Sequence, residues 1–261
     1  MIRFLKDRMS ALLELNNLVK RFQSFTAVNG ISLDVPAGEV LGFLGPNGAG
    51  KSTTMKMAAG FLTPDDGSAR ICGVDVASEP EKARLNLGYL PEGAPAYGEM
   101  SVAGFLKFCA KMRNLTGTEA GDAIARAVER TELGAVLEQP IETLSKGFKR
   151  RVGLAQAILH ETRVLILDEP TDGLDPNQKH QVRQLIRDMA ADRAIVISTH
   201  ILEEVDAVCS RAVIIDRGTV VADGTAAELR KLAPGKAKDA SLEDAFRQVT
   251  APASREDQPH V

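Results

Sequence analysis

The chain has 261 residues, 44% of them hydrophobic, enough for one large globular domain or for a core with an inserted lobe. A net charge of −3 and an isoelectric point near 5.9 give no global pull toward nucleic acid or anionic lipid, whose binders carry a clustered basic excess. The three cysteines, Cys72, Cys109 and Cys209, are far apart and odd in number, which argues against a disulfide framework or a metal cluster and points to a reducing compartment.

No run of about eighteen apolar residues is available to span a bilayer, and the apolar stretch in MIRFLKDRMS is too short for a secretory signal. The chain therefore reads as soluble, with residues 1–10 as an N-terminal extension and Met9 as an alternative start. From Ala11 to Val19 (ALLELNNLV) and from Gly30 to Val35 (GISLDV), two short strands are expected with turn residues between and after them. An apolar run from Val40 to Leu44 then leads through a Gly-rich turn into a helix beginning near Lys51, a strand-loop-helix unit.

Between Met100 and Leu137 the period becomes helical, with Phe105, Leu106, Cys109 and Met112 on one face and Ile124, Ala127 and Val128 on another. These read as core-facing residues of a separate helical lobe. RVLILDEP from Arg163 and RAIVISTH from Arg193 carry continuous apolar runs without alternation, as parallel strands covered on both faces do. A helix over Pro176–Met189 joins them, so the pattern implies an α/β layer around a parallel sheet. AVIIDRGTVVADG reads as a hairpin turning at Asp216, Arg217 and Gly218, followed by helices in TAAELRKL and SLEDAFRQV. APASREDQPHV at the end reads as a disordered tail.

The loop from Gly45 to Thr53, GPNGAGKST, contains GxxxxGKS after an apolar strand and before a helix, the context that gives this motif its meaning. Gly45, Gly48 and Gly50 let the backbone curl with its N–H groups inward, and the helix adds its positive end. Pro46, Asn47, Ala49 and Thr53 complete the cradle. Lys51 would reach the outer phosphates and Ser52 would coordinate Mg²⁺. Asp168 ends the strand VLILD at the carboxyl edge of the sheet, where it would partner that Mg²⁺. Glu169 follows and could activate a water against the terminal phosphate as general base. The alternative for both acids is helix capping.

GPNGAGKST, then ETLSKGFKRRVGLAQAI from Glu142, VLILDEPTDGLDP from Val164 and STH ending at His200 resemble the nucleotide-binding domain of ATP-binding cassette (ABC) transporters. The resemblance runs from about Leu13 to Gly224. It implies a P-loop NTPase fold of α/β class: a mostly parallel sheet, an N-terminal antiparallel β subdomain and an inserted α-helical subdomain. Residues 11–93 and 161–232 would form the ATP-binding core, 94–160 the helical subdomain with the signature segment, and 233–261 a C-terminal tail.

The same resemblance implies a head-to-tail pair of copies, each ATP lying between the loop of one and the signature segment of the other. Ser145 and the Gly147 N–H would then meet the γ-phosphate from across the interface. Where relatives read LSGGQ, this chain has Lys146 and Phe148, one cationic near the phosphate and one unable to hydrogen-bond. Glu92, in GYLPEGAPAY, stands where relatives carry a glutamine that contacts Mg²⁺ or its water, and its carboxylate would hold metal more strongly. A solvated loop acid is the alternative. Asp175 would link the two sites, and His200 would hydrogen-bond the γ-phosphate and the attacking water. Phe22 matches an aromatic that stacks on adenine. Phe25 is its rival, and a core aromatic is the alternative for either.

The implied protein is the ATPase subunit of a transporter, at the cytoplasmic face of the membrane, working with a separate permease. LSKGFKRRVGLAQAI, GYLPE and SLEDAF lean to the exporter branch that includes multidrug, gliding-motility and copper-maturation ATPases. A soluble ABC ATPase acting on ribosomes or DNA is the rival. A single cassette without a basic patch weighs against it, and no nucleic-acid partner is expected. A non-hydrolysing module that only dimerises on ATP is a third reading, opposed by Glu169 and His200.

Overall fold

A computed structural model describes residues 11–233 and 241–251. The readings for residues 1–10, for Met9 and for the end of the tail, 252–261, lie outside the described residues. Two long strands, β1 (Ala11–Phe22) and β2 (Phe25–Pro36), pair antiparallel around a tip at Gln23 and Ser24. Both continue through residues 20–29, where the sequence suggested connecting turns. Asn16 and Asn17 belong instead to a register break between Leu15 and Leu18, and Asn17 absorbs it at φ 48, a left-handed conformation that asparagine tolerates. Phe22 and Phe25 thereby stand opposite each other at the hairpin tip.

β3 (Val40–Leu44) and α1 (Lys51–Ala58) flank the Gly-rich loop. β4 (Asp66–Ile71) and β5 (Val74–Asp75) complete a sheet ordered β2-β1-β4-β5. After α2 (Pro80–Leu85), β6 (Leu87–Leu90) enters a second sheet with β7 (Val164–Asp168), β8 (Ala194–Thr199), β9 (Arg211–Asp216) and β10 (Thr219–Gly224). Its order is β10-β9-β3-β8-β7-β6, parallel except for the terminal hairpin β9–β10. β3, β7 and β8 are buried along their whole length, as strands sandwiched between layers must be. Since β3 and β7 lie on either side of β8, the loops after all three open on one edge of the sheet.

Between β6 and β7 lie α3 (Val102–Met112), α4 (Gly117–Thr131) and α5 (Lys146–Ala157). Ser101 caps α3 by accepting from the Gly104 amide at 3.1 Å, and Val102, Phe105, Leu106 and Ala110 form its buried stripe. Met112 departs from the expected face: it is 62% exposed, because the last residue of α3 reaches past the core to the rim of a cleft. On α4 the buried line is Ala123, Ala127 and Thr131, with Ile124 and Val128 packed at its margin. The helices α6 (Pro176–Met189), α7 (Leu202–Val208), α8 (Ala226–Arg230) and α9 (Leu242–Thr250) follow in the remaining connections.

α5 packs closely against β6. A Cβ at Gly88 would fall 2.2 Å from the Ala157 carbonyl oxygen and 2.4 Å from Leu165 Cδ2. Backbone cannot yield as a side-chain tip can, so Gly88→Ala is expected to destabilise the fold by about 1–3 kcal/mol. Urea unfolding with an unchanged m-value would measure it.

Candidate nucleotide site

Between β3 and α1 the chain makes a turn that few residues could follow. Gly48 and Gly50 hold φ of 81° and 102°. A Cβ on Gly50 would lie 2.4 Å from the Ala27 carbonyl oxygen, and one on Gly45 would lie 2.6 Å from that of Ile215. The loop is fixed from outside as well: the Gly218 amide donates to the Ala49 carbonyl at 3.0 Å, and the Asn29 amide donates to Gly218 at 2.8 Å. The β9–β10 turn thus braces the loop against β2. Lys51, 7% exposed, donates from Nζ to the carbonyls of Gly45 at 2.7 Å and Pro46 at 3.0 Å.

A pocket of about 420 Å³ opens on this loop. Its wall runs from Asn47 through Gly48 and Gly50 to Thr53, with Lys51 and Ser52, and is completed by Glu92, Glu169, Ala27, Phe22 and Phe25. Neither phenylalanine is a core residue: they are 47% and 58% exposed. Both therefore present a ring to the pocket, which leaves the sequence's choice between them open. Glu92 is exposed yet faces the same pocket. Ala27 carried no sequence signal, because its part is played by a carbonyl.

Asp168 is 1% exposed at the end of β7, and its Oδ2 has no hydrogen-bond partner among the described residues. Burial pushes this carboxyl above its ordinary range. The Ser198 and Ser52 hydroxyls pull it partly back, and the charges of Glu92 and Glu169 push it further up. Burial lowers the Lys51 ammonium in turn, while Glu169, Asp168 and Glu92 hold it charged. An orphaned carboxylate oxygen next to Ser52 fits a hard cation. Among the described residues no cluster of three His, Cys, Asp or Glu side chains forms a complete cage. That suits Mg²⁺, which keeps waters and phosphate oxygens in its shell.

Glu169 adopts φ 51°, a conformation that costs a residue with a Cβ roughly 1–2 kcal/mol, and its amide donates to the Ser198 carbonyl at 2.8 Å. His200 Nδ1 lies 2.7 Å from Glu169 Oε1. An ionised carboxylate has no hydrogen to give, so Nδ1 is the donor.

Ser145 and Gly147 stand apart from this pocket, at the start of α5. Ser145 is exposed and accepts from the Phe148 amide at 3.3 Å, capping the helix. Gly147 is buried, with Gln178, Gly173 and Leu174 around the place of its missing Cβ. Lys146, expected near a phosphate, has its Nζ 2.8 Å from Asp172 Oδ2 in the same chain. Phe148 lies under the Arg151 guanidinium at 5.6 Å. Asp175 is engaged as the N-cap of α6, accepting from the Gln178 amide at 2.9 Å.

Residues 28–172 match the family described as ABC transporter. The chain belongs to that family. Over 240 residues it is 35% identical to the probable multidrug ABC transporter ATP-binding protein YbhF of Escherichia coli, covering 91% of this chain but 41% of YbhF. It is 36% identical over 215 residues to the Nod factor export ATP-binding protein I of Burkholderia orbicola, covering 82% of this chain and 71% of that protein. Among solved structures it is similar to an ATP-binding subunit of an ABC transporter, with a TM-score of 0.83, 30% identity and coverage of 91% and 99% of the two chains. The α/β fold with its antiparallel and parallel-rich sheets is the fold of these ABC cassettes. Among the described residues no helix is long and apolar enough to cross a membrane.

The raised carboxyl of Asp168 has a consequence for stability. A folded-state pKa above the unfolded value means that ionisation opposes folding, a cost absent at low pH that sets in as pH rises through the folded-state pKa. Asp168→Asn is therefore expected to melt above the parent near pH 7, the gap closing toward about pH 4. Any added stability that Mg²⁺ with nucleotide gives the parent through the Asp168 carboxylate should be lost in the same variant. Thermal melts across pH, with and without ligand, check both.

Proposed function

We propose that this chain is the ATP-hydrolysing subunit of an ABC exporter, pairing head-to-tail with a second copy around ATP and driving a separate membrane permease from the cytoplasmic face. The observation that carries the reading is that Lys51 and Glu169 line one pocket, with Asp168 acting electrostatically on Lys51 and His200 held on the Glu169 carboxylate, groups drawn from three separate segments.

In this reading Phe22 and Phe25 hold the adenine, and the amides of the Gly45–Thr53 loop cradle the phosphates with Lys51 on the outer two. Ser52, Asp168 and Glu92 would hold Mg²⁺, which supplies charge neutralisation to the β- and γ-phosphates. Glu169 accepts the proton of the attacking water. His200 keeps that carboxylate aimed through Nδ1 and, as the imidazolium, can donate Nε2–H to the γ-phosphate. Ser145 and the first amides of α5, including Gly147, would close the site of the second copy, where a helix start suits an anion.

The permease would occupy a cleft of about 750 Å³ between α2, β6 and α3. Phe61, Leu85 and Met112 stand there 67%, 61% and 62% exposed, a cluster of large apolar side chains that a partner would cover. Lys82, Arg84 and Arg113 at its margin favour an acidic residue on the incoming segment. Support for export comes from the relatives named above, a probable multidrug transporter protein and a Nod factor export protein.

Glu169→Gln is expected to lower kcat by roughly 10²–10³-fold and to accumulate an ATP-bound dimer visible by gel filtration. Unchanged turnover would remove Glu169 from the base role. Phe22→Ala and Phe25→Ala should each weaken ATP binding by a few-fold, given roughly 0.5–1.5 kcal/mol for a stacked ring. A loss confined to one variant identifies the base platform. Recovery of the tagged chain from membranes without any permease would sink the transport reading and favour a soluble ABC ATPase.

A further inference from the structure

Arg150 lies in the second turn of α5, 3% exposed, and does not line the nucleotide pocket. Its guanidinium reaches three residues on two segments. Nη1 donates to the carbonyl oxygens of Pro91 at 3.4 Å and Asp168 at 3.3 Å, and Nη2 is 3.6 Å from Asp172 Oδ2. Pro91 immediately precedes Glu92, and Asp168 immediately precedes Glu169. Asp172 belongs to the loop that leaves Glu169 for α6, where Lys146 at the start of α5 also holds it, at 2.8 Å.

One face of α5 continues this line. A Cβ at Gly153 would sit 2.7 Å from both Ala94 Cβ and Leu90 Cδ1, and Gln156 donates to the Tyr89 carbonyl at 2.7 Å. Arg150, Gly153 and Gln156, three residues apart, therefore run along β6 and the loop carrying Glu92, as one helical stripe does. Among the described residues only Asp172 offers Arg150 a carboxylate, at the long end of ion-pair range. Its other partners are carbonyl oxygens after β6 and at the end of β7, both reached by Nη1 while Nη2 faces Asp172, a planar fork that spreads its contacts over two nitrogens.

We propose that Arg150 is a positioning residue that ties the backbone ahead of Glu92 and ahead of Glu169 to α5, so that displacement of the signature end of α5 reaches both carboxylates together. The proposal rests on the reading of those two acids given above. Arg150 touches neither nucleotide nor water in this scheme. It sets where the carboxylates stand.

The test uses the full chain with Mg²⁺-ATP, comparing Arg150→Met, which keeps the length, with Arg150→Lys, which keeps the charge. Arg150→Met should cut kcat by at least about 20-fold with KM moved less than about 2-fold, since misplacement taxes the reacting geometry rather than ground-state binding. Arg150→Lys should recover only part of that loss. Independently of turnover, hydrogen exchange should quicken by roughly 10-fold in Arg150→Met at the Ala94 and Asp172 turn amides together, which donate to Pro91 and Glu169 at 3.1 Å each, while β7 stays protected. Parent-like kcat, a loss carried wholly by KM, or faster exchange across β7 as well would each overturn the proposal. If the parent itself proves unable to hydrolyse ATP, the ATPase reading fails, and the paired exchange of the two loops still decides whether Arg150 couples them.

Discussion

Lys51 places a positive charge in a nearly closed position, and much of the site is arranged around that fact. Burial alone would drive the ammonium toward its neutral form, and the charges of Glu169, Asp168 and Glu92 oppose this. Those acids arrive from the ends of β6 and β7, strands brought to the same sheet edge as β3 only by the parallel order of the sheet. The acids strain one another in turn, since Asp168 is raised by its own burial and by its neighbours. Cation and carboxylates are thus poised rather than mutually satisfied, and the orphaned Asp168 oxygen is the clearest sign of it. A charged ligand carrying both phosphate and metal would complete both halves at once.

Much of the fold could be read from the letters because its central elements have one-sided reasons to exist. The runs VLILD and AIVIS cannot be surface strands, and Pro176 with Asp175 before it marks a helix start that the structure places at that residue. The misread stretches share another cause. Residues 20–29 carry turn-forming letters, yet the strands run through them on either side of a two-residue reversal at Gln23 and Ser24, while Asn17 and Gly30 serve left-handed positions within the ladder. Met112 has the right period for the core but stands beyond the core's end, and period carries no information about where a helix outruns its neighbours.

Legibility of the site followed the same division. The Gly45–Thr53 loop, Asp168 and Glu169 were readable because phosphate and metal chemistry restrict residue type at fixed spacing. The letters gave no sign of what holds Lys146 within one chain, since its partner Asp172 comes from a loop distant in sequence. Arg150 was invisible for a related reason: it lies between Lys149 and Arg151 in a basic run, and only its carbonyl partners at Pro91 and Asp168 set it apart from the also buried Arg151.

Glu169 joins these observations. A left-handed backbone at a residue with a Cβ persists only where its surroundings over-determine it, and here three neighbours do so. The Ser198 carbonyl holds its amide from β8, His200 holds its carboxylate, and the Arg150 guanidinium holds the carbonyl of the preceding residue from α5. Two of these supports come from the sheet side and one from the inserted helices. A helix shift that withdraws the third would loosen the strained backbone of Glu169, so the site and the helical lobe are joined through backbone conformation as well as through side-chain contact.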